Sequence, residues 1–142
     1  MARGKKTVKP PSKVSFNHAM IYSRNVPASL HFYRDLLGFR LIEKWDHDGH
    51  LVYARLRASQ GGGTIALHQA ESRRRSVADG EIRLYFEVAS LKRYCQQLRA
   101  AGVRFSQLPK KMPWGWTHAY LNDPDGHEVS LYWAGKLRFQ PS

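Results

Sequence analysis

The chain has 142 residues, the length of about one domain, with 42% hydrophobic and 12% aromatic residues, as in ordinary globular proteins. No apolar run approaches the roughly 20 residues that span a membrane, and no signal-peptide pattern is present, so we expect no membrane association. The single cysteine, Cys95, excludes an intrachain disulfide and favours a cytoplasmic location.

The net charge of +12 is high and unevenly spread. Residues 1–13 carry five basic side chains and no acidic one, which predicts a disordered basic tail, and Ser72–Ser76 forms a second basic spot. Solvated charge is one interpretation of both segments, and a surface that binds nucleic acid or an anionic ligand is the other. Because no nucleic-acid-binding motif accompanies the charge, we expect no nucleic-acid partner.

The first half begins with an alternating strand at 17–23. Pro27 then marks a helix start and Gly38 lies just past the helix end. Three strand-like runs follow at 39–45, 50–58 and 64–70, separated by turn residues.

The second half repeats this order. It has an alternating strand at 81–88, a helix that begins after Ser90 as N-cap and ends at Gly102, and strand-like runs at 103–108, 116–122 and 127–133. Each half is therefore strand, helix and three strands, a βαβββ module. We predict an α+β fold in which modules 14–70 and 81–134 form one domain, 14–136, and residues 137–142 form a C-terminal tail. Two such sheets can pair into a cup-shaped mixed sheet with the helices outside.

Two stretches carry a family resemblance. "NHAMIYSRNVPASLHFYRDLLGF" and "PWGWTHAYLNDPDGHEVSLYW" resemble the first and closing motifs of the glyoxalase/bleomycin-resistance/extradiol-dioxygenase superfamily, the vicinal oxygen chelate proteins. The resemblance covers about residues 14–133. It implies the paired modules, a cup-shaped pocket and often a homodimer, and it spans metal-dependent lyases, ring-cleaving dioxygenases and metal-free drug-sequestering proteins.

The resemblance also implies where a metal ion would bind. The family's four ligand positions fall on His18, Ala66, Arg83 and Ser130 in this chain. Only His18 is a good donor, since alanine has no donor atom and an arginine cation repels a metal ion. We therefore expect no cofactor, although a shifted set of His18, His68 and Glu128 leaves a divalent metal open.

Alternation along the strands places several aromatic and polar side chains on the face that would line the cup. The ligand-binding candidates are Arg83, Tyr85, Trp114, Trp116, Ser130 and Tyr132. His18 and His118 are the candidates for metal-free acid/base catalysis. The alternative for the aromatic residues is core packing, and Arg83 has the alternative of pairing with Glu87 or Glu128.

These observations predict a protein that binds a small, aromatic or anionic molecule and has a degraded metal site. The alternative is a metal-dependent lyase or ring-cleaving dioxygenase with a rearranged ligand set. The sequence leaves open whether the protein is an enzyme. A homodimer is the expected assembly.

Overall fold

The computed structural model describes residues 15–70 and 82–136. The tails predicted over 1–13 and 137–142 and the basic spot at Ser72–Ser76 lie outside these residues. No helix in the described part of the chain is long and apolar enough to cross a membrane.

Each half of the chain forms one βαβββ module. The first module contains β1 (His18–Ser23), α1 (Val26–Leu30), a π-helical segment (His31–Leu36), β2 (Arg40–His47), β3 (His50–Arg57) and β4 (Thr64–Gln69). The second contains β5 (Arg83–Glu87), α2 (Leu91–Ala100), β6 (Phe105–Lys111), β7 (Thr117–Asn122) and β8 (Glu128–Trp133).

The modules form two hydrogen-bonded sheets with the same topology. Their strand orders are β1-β4-β3-β2 and β5-β8-β7-β6, and in each sheet the first pair is parallel and the others are antiparallel. His18 and Arg83 each begin the first strand of their module, so they occupy equivalent places. The predicted α+β fold of two βαβββ modules is confirmed.

The first predicted helix changes its hydrogen-bonding pattern part-way. The Asn25 side chain caps α1 by accepting from the Ala28 backbone N–H at 3.1 Å, with Pro27 in the first turn. Beyond Leu30 the bonds widen to five residues, as in the 2.9 Å bond from the Leu37 N–H to the Phe32 carbonyl. The sequence pattern predicted the extent of this helix but not its widened turn.

Two local predictions are corrected. Ser90 occupies the N-cap position of α2, but its side chain makes no capping hydrogen bond. The strand predicted at 103–108 instead runs to Lys111, through Pro109. β6 tolerates this proline because it is the edge strand of its sheet, where a missing N–H leaves no neighbouring strand unpaired.

The helix-covered sides of the two modules share one apolar core. Phe39 and Phe86 meet edge to face across the module boundary at 4.9 Å, and the Tyr94 hydroxyl donates to the Leu37 carbonyl at 2.6 Å. Cys95 lies in this core, and burial raises the pKa of its thiol to about 11. At neutral pH it is therefore a protonated, unreactive thiol.

A buried carboxylate in the β7–β8 turn joins the modules. Asp123 Oδ1 accepts from the backbone N–H groups of Asp125 and His127, both at 2.9 Å. Its Oδ2 accepts from the Tyr33 hydroxyl of the first module at 2.8 Å and lies 2.7 Å from His127 Nδ1. Burial, together with this carboxylate, raises the pKa of Tyr33 well above its ordinary value. Asp125 adds bonds to the Arg24 backbone N–H and the Ser29 hydroxyl, both at 2.9 Å.

Replacing Tyr33 with phenylalanine should lower the free energy of unfolding by about 1.5–3 kcal/mol, because it removes a buried donor to a charged group. Urea denaturation measures this loss. Tyr53→Phe is the matched control, since the Tyr53 hydroxyl donates to the half-exposed Glu43 at 2.7 Å, and it should cost less than about 1 kcal/mol. Equal losses in the two variants would contradict a special role for the Asp123 junction.

Candidate functional site

The uncovered face of the second sheet presents most of the side chains that the sequence selected. Arg83 pairs in register with Glu128, and Tyr85 with Ser130. His118 pairs with Tyr132 across the β7–β8 ladder. Residues directly opposite on neighbouring strands project to the same side of the sheet, so β5, β7 and β8 bring these groups onto one surface, which we name the aromatic face.

His118 occupies the centre of the aromatic face and is 2% exposed. The Trp114 indole N–H donates to His118 Nε2 at 3.3 Å, and Ser130 Oγ lies 2.7 Å from Nδ1. Because an indole nitrogen only donates, Nε2 carries a lone pair, and the neutral ring holds its proton on Nδ1 for the bond to Ser130. Burial, followed by the charge of Arg83, lowers the pKa of His118 and favours this neutral form.

Aromatic rings surround His118 on several sides. The rings of Tyr132 and Trp116 lie nearly parallel to the imidazole at 5.3 and 6.3 Å, and they stack on each other at 5.2 Å. Tyr85 meets His118 edge on at 5.9 Å. Tyr85 is 53% exposed and Trp114 is 41% exposed. Core packing therefore describes His118 but not these two rings, which offer open area for a flat ligand.

Arg83 provides a fixed cation at the edge of these rings. Its Nε donates to Glu128 Oε2 at 3.0 Å, and its guanidinium carbon lies 4.4 Å from the centre of the Tyr120 ring. The bond to Glu128 raises the pKa of Arg83, so its charge is constant at any physiological pH. The predicted pairing with Glu128 is thus present, and it engages Nε rather than the two terminal nitrogens.

Lys110 is a residue of this face that the sequence analysis missed. It is exposed and lies directly opposite His118 in the β6–β7 ladder. The strand predicted from the sequence ends at residue 108, so Lys110 lies outside it. The tolerance of edge strands for proline was the signal that could have placed it beside the rings.

The four family metal positions do not form a ligand set in the described chain. His18 and Ala66 lie on the first sheet, and Ala66 is fully buried, with Arg55 as its β3 neighbour. Arg83 is a cation, and the Ser130 hydroxyl is bonded to His118. The residues present therefore do not fit the family's metal ion.

The shifted set of His18, His68 and Glu128 also meets a geometric obstacle. His18 is opposite Thr64 in the parallel ladder, so His68 lies four residues farther, about 13 Å along the strand. His68 donates from Nδ1 to the Gln69 carbonyl, 2.9 Å away. Two imidazoles at this separation on one sheet face are too far apart to share an ion with bonds of about 2 Å.

One other group of ligand-type side chains is close together: Asp123, Asp125 and His127. The hydrogen bonds at the module junction already engage all four carboxylate oxygens of this group. A cation would have to displace buried protein donors, so the group serves as a structural junction in this fold.

Two cavities lie at the boundary between the modules. Their volumes are about 500 and 490 Å³, and the Phe39–Phe86 pair borders both. Of the predicted site residues, only Tyr85 lines either one.

The fold and the motifs agree with a comparison to known families. Residues 15–131 match the model of the Glyoxalase/Bleomycin resistance protein/Dioxygenase superfamily. The chain belongs to this superfamily. A curated relative from Synechocystis, "Probable lactoylglutathione lyase", is 27% identical over 119 residues, which cover 80% of this chain and 91% of the relative.

Solved structures share the fold. TnmS3, described as an antibiotic binding protein from Streptomyces, superposes with a TM-score of 0.70 at 19% identity, covering 87% of this chain and 98% of its own. Lactoylglutathione lyase from Agrobacterium tumefaciens gives 0.63 at 20% identity, covering 88% and 96%. At these identities the likeness shows the fold alone.

The stability of the protein should fall as the pH drops below about 6.5, the ordinary pKa of histidine. His118 has a lowered pKa in the folded chain, so the unfolded chain binds the proton more readily. The stability contribution is complete above pH 6.5 and is lost as the pH falls toward the folded pKa. The maximum slope for one proton is about 1.4 kcal/mol per pH unit.

Urea denaturation across this pH range tests the effect by comparison with His118→Gln, which should have a flatter profile. His50→Gln is the control, because it removes an exposed histidine of the β2–β3 hairpin and should reproduce the wild-type profile. A wild-type profile in His118→Gln would contradict the assignment.

Proposed function

We propose that the protein binds a flat, anionic aromatic molecule on the aromatic face and does so without the family's metal ion. The observation that carries this proposal is the exposed ring surface around His118, with the guanidinium of Arg83 at its edge. The rings provide contact area, and the cations provide charge recognition.

The arrangement of charge supports an anion as the ligand. Lys110 lies opposite His118 on the neighbouring strand β6, and Arg83 lies on β5, two strands away on the other side. The neutral imidazole adds no positive charge between them. The terminal nitrogens of Arg83 form a planar fork that pairs with a carboxylate or phosphate through two bonds. Glu128 is exposed and competes with the ligand for Arg83. A ligand whose rings also stack on the aromatic face is therefore favoured over an anion without rings.

The fold comparison supports a binding role. TnmS3, which has the same fold, is described as an antibiotic binding protein, and this favours a binding role. In this chain the family ligand positions offer an alanine, an arginine and an already bonded serine beside one histidine. A catalytic role for His18 or His118, the homodimer and the cytoplasmic location stay predictions.

A metal-dependent lyase or dioxygenase is the second candidate. The superfamily match and the relative named as a probable lactoylglutathione lyase favour it. It would require metal ligands other than His18, His68 and Glu128, because the strand register holds the two histidines too far apart. The binding experiment therefore includes a metal arm.

Arg83→Ala should weaken binding of 2-naphthoate by about 30-fold or more, which corresponds to about 2 kcal/mol, because the carboxylate loses a close cation. Binding of the neutral 2-naphthamide should change much less. Isothermal titration calorimetry measures both. Arg55→Ala is the control: Arg55 is an arginine of the first sheet that also pairs with a glutamate, 2.9 Å from Glu43, and its loss should leave both affinities unchanged.

The same titrations are repeated with a chelator and with Mn²⁺ or Fe²⁺. We expect the affinities to be independent of metal. If 2-naphthoate binds only in the presence of metal, and His18→Ala abolishes this binding, the second candidate replaces the first. If Arg83→Ala and Arg55→Ala behave alike, Arg83 is a structural partner of Glu128 only.

A further inference from the structure

The second module has a strongly one-sided charge. Residues 88–122, which include α2, β6 and β7, contain six lysines and arginines and no aspartate or glutamate. All six side chains are exposed: Lys92, Arg93, Arg99, Arg104, Lys110 and Lys111. Because Lys110 belongs to the aromatic face, we treat the other five separately and name them the cationic rim.

The residues of the cationic rim lie on two elements that pack against each other and on the connection between them. Lys92, Arg93 and Arg99 lie on α2, which packs against β6. Arg104 lies in the short connection between these elements, and Lys111 ends β6 at the edge of the sheet. Within the described residues, none of the five forms an ion pair with a carboxylate.

In the first module, the elements that correspond to α2 and β6 carry cations that are paired with carboxylates. There, Arg34 lies 2.9 Å from Asp35, and Lys44 lies 3.8 Å from Asp46. These pairs occupy the π-helical segment and β2, which correspond to the last part of α2 and to β6. Two outer cations of the first module are thus neutralised by neighbouring carboxylates, whereas none of the five rim cations is within the described residues.

Unpaired like charges on one surface repel over about 8 Å at physiological salt, and a polyanion relieves this repulsion while releasing its own counterions. Double-stranded nucleic acid carries one phosphate charge per about 1.7 Å of its axis, so it can meet several rim cations together. Arginine and lysine are the side chains that contact phosphates.

The side chains between the rim cations of α2 argue against a membrane surface and against a protein as the partner. The exposed residues of α2 among the cations are Gln96, Gln97 and Ala100, whereas its apolar residues Leu91 and Leu98 are buried. A helix that lies on a membrane needs an apolar exposed face. A protein partner would usually meet an apolar or aromatic centre, which this surface of α2 lacks.

We propose that the cationic rim binds the phosphate backbone of double-stranded nucleic acid without sequence preference. From the sequence alone we expected no nucleic-acid partner, because no recognition motif accompanies the basic segments. The structure adds a different observation, because the unpaired cations cluster on one packed helix and edge strand. Backbone contacts require no motif.

The test measures binding of the full chain to a short fluorescein-labelled DNA duplex by anisotropy, between 50 and 200 mM salt. Each phosphate contact adds about 0.9 to the magnitude of the slope of log K against log salt. The triple variant Lys92→Gln/Arg93→Gln/Arg99→Gln should reduce this magnitude by about 2.7. The matched control, Arg34→Gln/Arg40→Gln/Lys44→Gln, removes three cations of the first module and should leave the slope unchanged. Cations outside the described residues are the same in all variants.

The double variant Arg104→Gln/Lys111→Gln tests the rim independently of helix α2 and should reduce the slope by about 1.8. Equal changes in the rim and control variants would overturn the proposal, because binding would then follow total charge. An unchanged slope in both rim variants would also overturn it, as would tighter binding to anionic vesicles or to single-stranded DNA than to the duplex. The outcome is independent of whether the aromatic face binds an acid.

Discussion

The buried carboxylate of Asp123 is the interaction on which the arrangement of the two modules depends. A carboxylate taken out of water needs several donors, and Asp123 receives two backbone N–H groups, a histidine ring and the Tyr33 hydroxyl. Tyr33 is the single donor from the other module, and the neighbouring Asp125 bonds extend the connection. The junction fixes the β7–β8 turn, from which β8 carries Ser130 and Tyr132 onto the aromatic face.

The chemistry of the aromatic face follows from its hydrogen bonds. A metal enzyme of this fold would need anionic or neutral donors, whereas this chain places Arg83 at one such position and uses Ser130 to hold His118. The imidazole is thereby neutral and fixed in one tautomer, and its second nitrogen holds Trp114 in place. The result is a surface of rings with a permanent cation at its edge. Such a surface suits recognition of a flat anion more than activation of a water molecule.

The repeat of strand, helix and three strands was readable from the sequence, because alternation and helical periodicity are properties of the local chain. The selected residues of the second half also came together, since strand alternation sorts them onto one face. The sequence analysis missed the position of Lys110 and the hydrogen bond between Trp114 and His118. They depend on where an edge strand ends and on how a loop folds back, and neither leaves a periodic signal. The separation of His18 from His68 likewise required the strand register, which one sequence does not show.

The central claim is that the ligand site is the aromatic face rather than a cavity between the modules. Backbone amide chemical shifts recorded during a titration with 2-naphthoate test it most directly. The account predicts that the largest changes fall on β7 and β8, around His118, Ser130 and Tyr132. Changes concentrated around Phe39, Ala58 and Gln60, which border both inter-module cavities, would contradict it.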